Sequence, residues 1–105
     1  MKKAVRPSSF AQEEIEYYLQ RYESESPGLG DRLWREIQAA VALISDRPSI
    51  GEPVRRTRGL VRRVPLRRFP FFVIYREREH DVQIIALAHT SRRPNYWRSR
   101  LKLLS

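Results

Sequence analysis

The side chains of this chain that could move a proton or grip a phosphate are two histidines, five tyrosines and a large excess of arginine. Cysteine is absent, so there is neither a disulfide framework nor a thiolate nucleophile. His80 and His89 alone make no metal-ligand cluster. No Gly-rich phosphate loop, no H-E-x-x-H and no serine in a nucleophile elbow occurs. No cofactor and no metal are therefore expected. The remaining chemistry gathers near the C-terminus, where His89 is followed by Arg92-Arg93, Tyr96-Trp97 and Arg98. One reaction needs neither metal nor cofactor: attack of an RNA 2′-hydroxyl on its own phosphate, which requires cations around the phosphorane and a group to carry protons. Arg63, Arg67, Arg92 and Arg93 could supply the cations, and His89 or Tyr96 the proton transfer. The same arginines would hold a phosphate backbone equally well without chemistry. Tyr96 and Trp97 could then stack on bases, although a tryptophan so placed reads first as core. His89, at the end of an apolar run, reads as a structural hydrogen-bonding group before a proton carrier. His80 sits among charged residues and reads as solvated.

Charge is unevenly spread. The net charge is +9, but residues 1–52 hold 7 basic and 9 acidic side chains, whereas residues 53–105 hold 14 and 3. The second half is thus a polycation of net charge +11. Apart from Lys2, Lys3 and Lys102, every cation is arginine, whose planar fork suits phosphate and carboxylate. The partners implied are nucleic acid or an acidic protein surface. At 105 residues with 41% apolar side chains the chain reads as one globular domain, 1–105. The basic opening Met1-Lys2-Lys3 leads into no apolar stretch of a signal peptide, and no run approaches a membrane span. A cytoplasmic protein is expected.

The elements that must position these groups are legible in outline. Phe71-Phe72-Val73-Ile74-Tyr75 and Val82 to Ala88 are apolar runs joined by a charged turn, Arg76 to Asp81, and read as a β-hairpin covered on both faces. Lys3 to Arg6 reads as a short edge strand. Ser9 with Gln12 has capping-box spacing, and Ala11, Ile15, Tyr18, Leu19 and Tyr22 line one helical face. Glu13, Glu14 and Glu16 fall where the helix dipole favours acids. Ser26-Pro27-Gly28 breaks this helix. A second follows, with Leu33, Ile37, Ala40, Val41 and Ile44 inward, and stops at Arg47-Pro48. Ile50 to Gly59 reads as a loop, and Leu60 to Leu66 as a strand that Pro65 marks as an edge. Tyr96 to Leu104 reads as a short closing helix capped by Asn95. Helices and strands are segregated, so the expected fold is α+β: a helical hairpin on a small, mainly antiparallel sheet.

At this point the residues resemble a known family. The Phe69-Pro70-Phe71 start of a strand ending Val73-Ile74-Tyr75-Arg76, and the ending Ala88-His89, Arg92-Arg93-Pro94, Tyr96-Trp97 and Arg100, are similar to the ParE/RelE superfamily of type II toxin–antitoxin toxins. The resemblance covers nearly the whole chain. It implies a compact α+β toxin neutralised by a cognate antitoxin that lays an acidic or amphipathic segment over it, with Arg55, Arg56 and Arg58 as expected antitoxin contacts. It implies one of two mechanisms. RelE-like members cut mRNA on the ribosome; in that branch Arg92, Tyr96 and His89 would be the catalytic residues. ParE-like members poison DNA gyrase. Phe72 stands where the RNA-cutting branch carries an arginine inside the strand, and the Phe-Pro-aromatic strand is more ParE-like, so the gyrase-directed branch is preferred. Arg63, Arg67, Arg92, Arg93 and Arg98 are then target or nucleic-acid contacts.

Overall fold

A computed structural model describes residues 2–104; Met1, the first residue of the basic opening, and Ser105 lie outside them. The chain runs β1 (Ala4–Pro7), α1 (Ser9–Glu25), α2 (Leu29–Asp46), a 3-10 turn at Pro48–Ile50, β2 (Glu52–Pro53), β3 (Val61–Pro65), β4 (Phe71–Glu77), β5 (Asp81–His89) and α3 (Arg100–Leu103). One five-stranded sheet has the order β1-β5-β4-β3-β2. Only β1 runs parallel to its neighbour, β5; the other pairs are antiparallel.

The central hairpin is the one the apolar runs predict. Every residue of β5 from Val82 to Ala88 is buried, because both faces of the sheet are covered along this strand. Its alternation is interrupted by a bulge: Tyr75 faces Ile84 and Ile74 faces Ala86, leaving Ile85 without a partner across the pair. The extra residue resets the parity. Val82, Ile84 and Leu87 enter the core beneath the helices, and Ile85, Ala86 and Ala88 enter a second cluster with Trp97 on the other face. The turn is shorter than expected, since Arg76 and Glu77 still pair with Gln83 and Val82.

On the first face α1 and α2 form the expected hairpin, burying Ala11, Ile15, Leu33, Ile37, Ala40 and Ile44. Tyr18 and Tyr22 pack edge-on against Phe71. The helix cap is Ser8, not Ser9: the Ala11 amide donates to its Oγ at 3.2 Å. This shift places Glu13, Glu14 and Glu16 beyond the first turn. At the α1–α2 corner Gly28 has φ +88° and no side chain to cap α2, so the Glu23 carboxylate accepts from the Gly28 and Gly30 amides instead. Trp34 stands on the outer surface of α2, 40% exposed.

Four further expectations are corrected. The loop 50–59 contains the two-residue strand β2, which pairs Glu52 with Arg63 and Pro53 with Arg62. β3 is therefore not the outermost strand; Pro65 lies at its end, beyond the reach of β2. Leu60 is exposed, outside the strand. The closing helix is a single turn, because Asn95 takes a left-handed φ of 64° inside a run of turns rather than capping a helix. Trp97, Leu101 and Leu104 still face inward as expected. Trp97 is 3% exposed.

β2 is pinned by Tyr75, whose hydroxyl donates to the Pro48 carbonyl at 2.6 Å and accepts from the Gly51 amide at 2.9 Å. A Cβ at Gly51 would lie 2.6 Å from that hydroxyl and 2.9 Å from the Arg63 carbonyl, so no larger residue fits.

Candidate functional site

The sheet face opposite the helical hairpin is only partly covered. The C-terminal segment closes one end over Trp97, and the rest is a basic trough between β3–β4, the loop at 90–97 and the loop at 54–59. Two adjoining depressions form it. One, of about 160 Å³, is lined by Arg63, Phe72, Arg92, Arg93, Tyr96 and Trp97 among others. The second, of about 450 Å³, shares Val54, Arg63, Pro94 and Asn95 with it and extends to Arg55, Arg56 and Arg98.

Three of the arginines lie over aromatic rings: Arg63 over Phe72 at 4.3 Å, Arg92 over Tyr96 at 3.9 Å and Arg98 over Trp97 at 5.5 Å. Arg63 also donates twice to the Glu52 carboxylate. Arg92 and Arg93 are exposed just beyond β5, where a turn closes with the Arg92 amide on the His89 carbonyl. Arg67 is not brought to this group; it sits with Glu36, Val64 and Leu66 at the α2 side of the sheet.

Arg55, Arg56 and Arg58 project from one tight loop. Arg56 and Arg58 take left-handed φ values of 61° and 55°, uncommon and strained for side chains with a Cβ. Two clamps hold them there. The buried Thr57 hydroxyl donates to the Val54 carbonyl at 2.7 Å. Arg98, which the sequence assigns to target contact, spends its guanidinium on the Arg55 and Arg56 carbonyls at 2.9 and 3.1 Å. Arg98 thus ties the arginine loop to the C-terminal segment.

The two candidates for proton transfer, Tyr96 and His89, both line the first depression, but each has a polar atom already engaged within the fold. The Tyr96 hydroxyl donates to the Glu14 carboxylate at 2.6 Å. Burial, and then this bond to a carboxylate, holds the phenol well above its ordinary range. Glu14 also accepts both Arg100 terminal nitrogens, at 2.9 and 2.8 Å, and the Leu87 amide at 3.1 Å. His89 lies at the edge of the first depression with its ring stacked on Tyr18 and edge-on to Phe71 on the helix side. Its Nδ1 accepts from the Ser91 amide at 3.0 Å, which fixes the tautomer with the proton on Nε2. His80 is exposed in the hairpin turn. Among the described residues no group of acids and histidines could hold a metal ion.

Glu14 is the functional neighbour that the sequence reading missed. It reads there as one dipole-facing acid among three. The available signal was its helical spacing from Phe10 and Tyr18, four residues to either side, which puts it beside the buried stripe.

The family model described as the ParE toxin of the type II toxin–antitoxin system parDE matches residues 5–94. A search of curated proteins returns no match. Among solved structures, the fold is similar to a chain of the chromosomal ParDE toxin–antitoxin system from P. aeruginosa, with a TM-score of 0.74 and 17% identity, covering 86% of this chain and 98% of that one.

Proposed function

The chain belongs to the ParE toxin family of type II toxin–antitoxin systems, and from that premise we propose that it arrests growth by poisoning DNA gyrase rather than by cutting RNA. The observation that supports this choice is the state of Tyr96. A phenol bonded to Glu14 at 2.6 Å and pushed up by burial is a poor proton carrier near neutral pH. His89 supports the same reading, since one ring nitrogen is tied to Ser91 and the ring packs against Tyr18 and Phe71. Phe72, in place of a strand arginine, removes a cation that the RNA-cutting branch uses. Loss of one such contact to a transition state can lower a rate by ~10²-fold or more.

An antitoxin neutralises the toxin by laying an acidic segment on the loop carrying Arg55, Arg56 and Arg58. The three side chains are exposed, and they are presented by a backbone held in place by Thr57 and Arg98. Action on gyrase places the protein in the cytoplasm.

The test is purified toxin incubated with gyrase and supercoiled DNA, beside toxin incubated with translating ribosomes. Trapped gyrase–DNA complexes with intact mRNA are expected. Codon-positioned mRNA cuts that vanish in Tyr96→Phe would overturn this reading in favour of the ribonuclease.

A further inference from the structure

The trough carries more than a docking charge. Six arginines line its two depressions, and Glu52 is the one carboxylate with them. Glu52 is already bonded to Arg63. Arg55, Arg56, Arg92 and Arg93 are exposed and have no carboxylate partner among the described residues. Arg92 is further positioned by its contact with the Tyr96 ring, its Cζ 3.9 Å from the centroid. A guanidinium seated over a ring still has N–H donors for phosphate oxygens, which it can grip in pairs. Because the fork is already ordered, little rotamer freedom is lost when it binds.

The rings themselves are not offered to a ligand. Phe72, Tyr96 and Trp97 are each capped by an arginine, and Trp97 is buried. Single-stranded nucleic acid is held largely by stacking bases on open aromatic faces, and this trough has none of those three to give. Its chemistry fits a ligand that shows phosphates outward and keeps its bases stacked on one another.

We infer that the trough grips the phosphate backbone of duplex DNA directly, without reading sequence. This rests on the gyrase reading only for the choice of DNA over RNA. On this inference the toxin contacts the nucleic acid that gyrase holds as well as the enzyme. An acidic antitoxin segment on Arg55 and Arg56 then competes with that contact.

The experiment is fluorescence anisotropy of a labelled mixed-sequence DNA duplex with the full chain, without gyrase, across a salt series. Four unpaired arginines give an expected slope of log K against log salt of about −3 to −4. Arg92→Gln with Arg93→Gln should make that slope shallower by about 2 and weaken binding roughly tenfold or more at low salt. Arg32→Gln with Arg35→Gln removes the same charge from α2, on the other side of the sheet, and should leave the slope unchanged. Equal losses in the two double variants would overturn the site by reducing it to net charge. Absence of binding at low salt overturns it as well. So does binding to a single strand, an RNA duplex or polyglutamate at least as tight as to the DNA duplex. The two proposals fail separately. Gyrase poisoning by a chain without duplex affinity sinks this inference alone, and duplex affinity in a chain that leaves gyrase untouched sinks only the gyrase reading.

Discussion

The Glu14 carboxylate accepts from four donors drawn from three parts of the chain: the Leu87 amide on β5, the Tyr96 hydroxyl, and two nitrogens of Arg100. Arg100 passes on a further bond to the Ile85 carbonyl. Since β1 pairs with β5 only as far as Ile84, these side chains satisfy the sheet edge that β1 leaves open. Removing one donor from such a network leaves the partly buried carboxylate less well satisfied. Tyr96→Phe should therefore lower stability by about 1.5–3 kcal/mol near neutral pH, the usual worth of a hydrogen bond to a charged group. The pH dependence has a definite sign. The folded phenol holds its proton more tightly than the unfolded one, whose ordinary pKa is 10.0. Between the two values only the unfolded chain releases the proton, so wild type loses stability as pH rises above about 10. The gap to Tyr96→Phe should narrow over that range, as urea unfolding at stepped alkaline pH would show.

At the scale of elements, the loop at 54–59 and the approach to strand β2 each contain one residue whose replacement is not neutral. Arg58 at φ 55° is strained where glycine would be at ease. Arg58→Gly should raise stability by about 0.5–1 kcal/mol, or roughly 2–6 °C in melting temperature, while weakening antitoxin binding. Lower stability would mean that the loop carries no strain. Gly51→Ala should do the reverse, costing about 1–3 kcal/mol by forcing Tyr75 and the Arg63 backbone aside; a thermal melt decides it. Both helices and the central hairpin were legible because each is long and follows its own period, and the bulge at Ile85 only exchanged faces that were both apolar. β2 was not legible. Two residues, one of them proline, have no period, and they become a strand only through pairing with β3, Glu52 with Arg63 and Pro53 with Arg62. The cluster from His89 to Trp97 was legible as a site because it is contiguous. The partner of Tyr96 was hidden because Glu14 lies 82 residues away, and Arg98 reads as a surface cation because its two acceptors are main-chain carbonyls.

For the molecule as a whole, the helices and the trough occupy opposite sides of the sheet, and the charge follows them. Neutralising Arg55, Arg56 and Arg58 together should weaken the antitoxin complex and flatten its salt dependence, because surface charges are screened over roughly 8–10 Å in physiological salt. An unchanged salt series by calorimetry would move the interface to the helical face. The same two-sidedness separates the chain's two tryptophans. Trp34 meets solvent on the outside of α2, and Trp97 lies under Arg98 at the floor of the trough. Trp34→Phe leaves a single indole, so its emission colour and quenching become an unlabelled optical gauge of the trough, able to distinguish an empty groove from one filled by phosphate or by a carboxylate-bearing segment.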